Sequence, residues 1–265
     1  MSTALLLSCI VVLITHTLEA VTGFGCTVLA LPFVTSLLGM KTGVISLTVI
    51  AWLLALYFAI TKWNEIEIKQ YAIILACMLA GLPVGMYLFR TFDVANLKKV
   101  LAVFICIVSV WQLIQLFIHH PQKRNREIKQ NSGGMFSARS QHQQKVRTPA
   151  FGYYVLLVVG GIVHGMFSSG GPLAVLYSSK MIPDKGHFRA TMCLLWSTLN
   201  TIIIAGYIAD HSFTPQNIKI TAVFVPFLLI GIYLGEKIHK KINTRLFSIL
   251  IFTVLFFTGI VMLYK

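Results

Sequence analysis

The sequence predicts an all-α integral membrane protein of two inverted repeats, each a broken or re-entrant helix followed by three transmembrane helices, about eight hydrophobic segments in all. Three observations carry this. The 265 residues are 57% hydrophobic and only 11% charged, where a soluble domain carries about a quarter charged residues. The apolar residues run in stretches long enough for a bilayer, with charge confined to the gaps. Short motifs also recur between the two halves at a nearly constant shift of about 145 residues.

Five stretches each match the ~20 apolar residues that a ~30 Å hydrocarbon core requires: Thr42–Ile60, Tyr71–Phe89, Val100–Ile118, Ala190–Ala209 and Leu246–Tyr264. A sixth, Ile218–Gly235, is expected to be interrupted at Pro226. Two segments are too long for one span. Thr3–Leu38, with Glu19 as its one charged residue, and Phe151–Ile182, with Lys180, would measure about 54 and 48 Å as straight helices. Each holds a breaker cluster near its middle: Thr22-Gly23-Phe24-Gly25 with Pro32, and Ser168-Ser169-Gly170-Gly171-Pro172. Each therefore reads as a broken helix or as a hairpin of two half-helices. Broken backbone at membrane depth is tolerated only where it faces protein or a watery cavity.

The two broken segments occupy matching places. Glu19-Ala20-Val21-Thr22-Gly23-Phe24-Gly25 superposes on His164-Gly165-Met166-Phe167-Ser168-Ser169-Gly170 at a shift of 145. Trp52 meets Trp196 at 144, and Gly85-Met86-Tyr87-Leu88 meets Gly231-Ile232-Tyr233-Leu234 at 146. Chance similarities would scatter. The expected organisation is a transmembrane repeat over residues 1–118, a basic linker over 119–150 and a second repeat over 151–265.

Charge orients the chain. The net charge is +14, from 22 basic and 8 acidic residues, and the linker concentrates it: Lys123, Arg124, Arg126, Lys129, Arg139, Lys145 and Arg147 face Glu127 alone. Rich in Gln, Asn and Ser and without apolar period, this segment reads as a cytosolic loop that fixes topology, not as a nucleic-acid-binding surface. If Phe151–Ile182 is a hairpin returning to its own side, the basic loops around Lys185 and Lys240 are both cytoplasmic; a single crossing would reverse them. Three further crossings follow in each half, an odd number, so the halves are inverted. The five cysteines (Cys9, Cys26, Cys77, Cys106, Cys193) lie in apolar runs without metal-ligand spacing and read as reduced packing residues. Residues 1–5 carry no Lys or Arg, so no signal-peptide n-region is expected there.

A pair of Gly/Pro-interrupted hydrophobic segments at corresponding positions of two halves points to a transporter's binding site. With almost no basic residue inside the hydrophobic segments, and Arg90 and Arg189 at helix ends, an anion there would be held by backbone. A half-helix that starts at a glycine turn aims free N–H groups and its positive dipole end at one spot. The candidate substrate-binding residues are thus Thr22, Gly23, Gly25, Ser168, Ser169, Gly170 and Gly171, with mid-helix Asn200; close helix packing is the competing reading for the glycines. Glu19 and His164, each one turn before a break, are candidates for proton coupling, since intramembrane ionisable groups are costly and usually functional. A structural hydrogen bond between the halves is the plainer alternative, and Trp52 and Trp196 serve equally well as core.

Thr22-Gly23-Phe24-Gly25 running to Leu31-Pro32, the second Gly-Gly-Pro turn and Phe188-Arg189-Ala190-Thr191 resemble the TauE/SafE family of sulfite and organosulfonate exporters. The resemblance covers both halves, apart from the linker. Cys26-Thr27 and Ser168-Ser169 stand where that family commonly has further glycines. It implies a plasma-membrane permease, multi-pass, for sulfite, sulfoacetate, thiosulfate or a related anion. Its partners would be the small anionic substrate and the lipid bilayer, with no nucleic acid and no cofactor or metal, and a homodimer is compatible with it. An anion channel, or a transporter of a carboxylate anion, would use the same parts. No HExxH, GxSxG or Asp-rich metal motif points to an enzyme.

Overall fold

A computed structural model describes residues 3–23, 26–118, 151–238 and 244–264; the linker therefore lies outside the described residues. Those residues form ten α-helices and one 3₁₀ turn, with no strand. In the first half these are α1 (Thr3–Thr22), α2 (Cys26–Leu38), α3 (Met40–Thr61), the 3₁₀ turn Trp63–Glu65, α4 (Ile68–Thr91) and α5 (Val94–Ile118). In the second they are α6 (Phe151–Phe167), α7 (Gly171–Met181), α8 (Lys185–Ala209), α9 (Pro215–Ile238) and α10 (Thr244–Tyr264). Among them, α1, α3, α4, α5, α8 and α9 are long and apolar enough to cross a membrane. The chain is a multi-pass membrane protein. The helices outrun their apolar stretches by a few residues, because hydropathy tracks the hydrocarbon layer while helical hydrogen bonding continues into the interface.

Pro226 does not interrupt its helix: α9 is continuous over 24 residues with the proline inside, as α4 is with Pro83. Neighbouring helices in a bundle accommodate the backbone that a proline frees.

Both long segments are broken where the Gly/Ser clusters lie. α1 ends at Thr22 and α2 starts at Cys26; Phe24 and Gly25, between them, lie outside the described residues. Gly23 has φ +82° and Ser168 φ +51°, the left-handed region that turns a helix out of its path. Each closes the preceding helix with the same bond: Gly23 N–H donates to Glu19 O and Ser168 N–H to His164 O, both at 2.7 Å. These are the residues that superpose at a shift of 145. Past the second break the chain folds back. The Tyr177 ring packs on Tyr154 at 6.1 Å, Lys180 Nζ bonds the Tyr153 hydroxyl, and Leu173 sits against Gly160. α6 and α7 are a hairpin with both open ends on one side.

Helix packing obeys one exchange. If each helix is replaced by its counterpart in the other half, α4 on α6 becomes α9 on α1, α4 on α8 becomes α9 on α3, and the α3–α8 and α5–α10 pairs map onto themselves; all of these contacts occur. α3 and α8 run antiparallel: Phe58 meets Arg189, Trp52 Nε1 donates to Thr201 Oγ1 at 2.8 Å, and Glu67 N–H, just past α3, donates to Thr191 Oγ1 at 2.9 Å.

Glycine permits the closest contacts. A Cβ on Gly85 would lie 2.0 Å from Ile162 O, and one on Gly161 would lie 2.1 Å from Met78 O. The α4 and α6 backbones thus touch at positions where any side chain would part them. This contact seats the end of α6, and with it the second break, against the other half.

Candidate functional site

Residues flanking the two breaks line one cavity, whose empty space together with its open mouth is about 290 Å³. It is lined by Glu19 from the last turn of α1, Thr27 and Val28 from the first turn of α2, Ala51 from α3, His164 from the last turn of α6, Ser168, Ser169 and Gly171 from the second break, and Trp196 and Asn200 from α8. Both half-helices therefore present their N-terminal turns to it. α2 and α7 are 13 and 11 residues long, enough to carry a full end-charge. In α7 the first intrahelical bond runs from Ala174 N–H to Gly170 O, and Pro172 has no N–H, so Gly171 and Leu173 keep the free donors of that end. No Lys or Arg lines the cavity.

His164 is the best-held of the lining side chains. Its ring stacks on Trp196 with centroids 5.2 Å apart, and Gly170 N–H donates to its Nδ1 at 3.3 Å. An accepting Nδ1 puts the proton of the neutral ring on Nε2. The Asn200 side chain is the ring's polar neighbour, yet Nε2 is buried without a partner in hydrogen-bonding geometry, and Ser169 Oγ and Asn200 Oδ1 are likewise buried without one. Three such polar atoms lining one cavity are exceptional, because buried polar groups are nearly always paired. Thr48, buried on α3, shares a 2.6 Å hydrogen bond with Ser168 Oγ while its own hydroxyl also donates to Val44 O at 2.8 Å. It ties the second break to the first half.

The predicted residues divide. Glu19, His164, Ser168, Ser169, Gly171 and Asn200 share the cavity. Gly23 does not line it; a Cβ there would strike Arg189. Gly170 has a packing role, since a Cβ on it would lie 2.2 Å from Gly160 O. Thr22 ends α1, but its side chain, like the whole of Gly25, lies outside the described residues. Sequence reasoning passed over Thr27, Thr48 and Arg189, and left Trp196 undecided between core and site. The first two are single threonines in apolar runs. Only their place one turn past a break, or opposite one, marks them.

A family model described as sulfite exporter TauE/SafE matches residues 8–262, spanning both breaks and all ten helices but the start of the first and the end of the last. The chain belongs to the TauE/SafE family. It is accordingly a membrane transporter. No curated protein and no solved structure matches it. This TauE/SafE chain has two unequal breaks, one turning on Gly23 and the other on Ser168.

Proposed function

We propose that the protein carries a small sulfur oxyanion or organosulfonate (sulfite, thiosulfate or sulfoacetate) out across the plasma membrane, with proton coupling. The cavity between the two breaks is the anion's site. The observation that carries this reading is the convergence there of two half-helix N-termini with the unpartnered His164 Nε2 and Ser169 Oγ. All are donors or positive ends, and an oxyanion supplies only acceptors. The anion is desolvated without a lysine or arginine beside it, so the charge is met by dipoles fixed in the fold.

Glu19 gives the coupling its sign. A carboxylate and an anion in one small cavity repel strongly at low dielectric; a protonated carboxyl does not, and it adds a donor. Anion and proton therefore favour one another's binding, and by linkage the effect is reciprocal. His164, whose Nδ1 is engaged by Gly170, acts as a donor in this scheme and leaves the proton to Glu19. The test is flux in proteoliposomes with and without an imposed pH gradient. Glu19→Gln, which keeps a neutral donor, is expected to retain anion flux but lose its response to the gradient; a response equal to wild type would make Glu19 structural. Flux of acetate and other carboxylates without flux of sulfite, thiosulfate or sulfoacetate would reassign the substrate. Unsaturable flux would make the protein a channel.

A further inference from the structure

Arg189 lies in the second turn of α8, where hydropathy marks only a helix end. In three dimensions it is part of the first break. A Cβ built on Gly23 would fall 2.9 Å from Arg189 Cγ, 3.0 Å from its Cα and 3.1 Å from its Cβ, so the arginine's stem is packed against the turn that ends α1. The guanidinium carbon lies 3.8 Å from the centroid of the Phe58 ring on α3, a cation–π contact. Its Nε is buried and has no hydrogen-bond partner.

Among the described residues Arg189 makes no ion pair within 4 Å, the distance at which a structural arginine is normally held. Among the described residues, the ion pairs are Lys62–Glu65, Arg90–Asp210 and His187–Glu67. Glu65 and Glu236 stand within Coulombic range of Arg189 but beyond the 4 Å of an ion pair, and Glu236 instead accepts from the Tyr57 hydroxyl at 3.5 Å. The counterpart of Arg189 in the first half, at the shift of 144 that relates the two tryptophans, is Ile45. The second break therefore has no cation, and the Thr48 hydroxyl braces it instead. Among the described residues, a cation present at one break and absent from the other, set over an aromatic ring with its Nε unpaired, is arranged to receive an oxyanion. A guanidinium's N–H fork matches two oxygens of a sulfonate, sulfite or carboxylate group.

We propose that Arg189 is the anion's first binding residue: it takes the oxyanion at the first break and delivers it to the cavity that Glu19 and His164 line. This rests on the transport reading above. The cationic fork captures the anion from water, and the uncharged cavity beyond holds it weakly enough for release. Guanidinium geometry is required, so lysine is a poor replacement.

The experiment measures concentration-dependent [35S]sulfite and sulfoacetate flux in proteoliposomes. Arg189→Gln is expected to raise KM more than tenfold with a smaller change in maximal rate, and Arg189→Lys to recover only part of the loss. Arg189→Cys is expected to regain flux only to the level of Arg189→Lys when alkylated with 2-bromoethylamine, which builds a lysine-like cation through a thioether stable to sulfite. Iodoacetamide, which leaves the position neutral, should not restore it; treated wild type controls for the native cysteines. If the Arg189 variants do not fold, Phe58→Leu, which removes only the aromatic surface, is expected to raise KM several-fold. A wild-type KM in Arg189→Gln, equal rescue by both reagents, or a wild-type KM in Phe58→Leu where that variant is the readout, would overturn the assignment and leave the transport reading standing. Wild-type protein that carries none of these anions would overturn the transport reading itself.

Discussion

Ser168 offers a test in which two substitutions of similar size should move stability differently. The residue sits at φ +51°, where a Cβ costs about 1–2 kcal/mol, and its hydroxyl shares a 2.6 Å bond with Thr48, a net contribution of about 0.5–1.5 kcal/mol. Ser168→Ala keeps the strained backbone and loses the bond, so it should cost about 1 kcal/mol. Ser168→Gly loses the same bond but relieves the strain, so the two changes nearly cancel. The glycine variant should therefore be about 1 kcal/mol more stable than the alanine variant. Thr48→Val strands a buried Ser168 hydroxyl and should cost about 1–3 kcal/mol; combining it with Ser168→Ala should cost less than the sum of the two. The assay is the melting temperature of purified protein in one detergent at one concentration. Equal melting temperatures for the alanine and glycine variants would refute the claim that backbone strain at this break is real, and additivity with Thr48→Val would refute the bond.

Three further outcomes are expected. Gly161→Val places a Cβ 2.1 Å from Met78 O and must part α4 from α6, an overpacking cost of about 1–3 kcal/mol or more; it should lower the melting temperature and the yield of folded protein, and wild-type values for both would contradict the backbone contact. Gly171→Leu, whose Cβ would have only Trp196 nearby at 3.9 Å, should fold and lose transport because the side chain fills the cavity, whereas Gly170→Leu should fail to fold; folded, active protein from either would move the site. Cysteines introduced for Asp184 and Ser212, near opposite ends of α8, should label from opposite sides of the membrane, Asp184→Cys from the cytoplasm. Labelling of both from one side would refute the crossing.

The breaks were legible because the residues that cannot continue a helix are chemically conspicuous and fall at one shift. Gly23 and Ser168 superposed in the sequence and share a left-handed backbone and the same closing bond in the structure. What each glycine does was not legible. Gly170 and Gly171 are neighbours in one cluster, yet one packs against the backbone carbonyl of Gly160, seven residues before the end of α6, and the other faces open space; only the fold-back of α7 decides between them. Arg189 was set aside because hydropathy measures position along a helix and says nothing of what packs beside it, and Gly23 is 166 residues away in sequence. Pro226 misled for a related reason: propensity describes an isolated helix, while α9 is packed against α1 and α3.

The exchange that relates the halves has an energetic corollary. Two identical antiparallel units would make a carrier with equal access from either face, since swapping the units converts one form into the other at no cost in free energy. The differences between the breaks remove that degeneracy. The Thr48–Ser168 bond has no counterpart at Gly23, and Arg189 none at Ile45. If one such bond of about 1 kcal/mol forms in only one form, it alone skews their populations about fivefold. On the transport reading proposed above, directionality would be set by the few positions where the two halves do not match, and restoring the match at Ser168 and Thr48 would push such a carrier back toward indifference between the two faces.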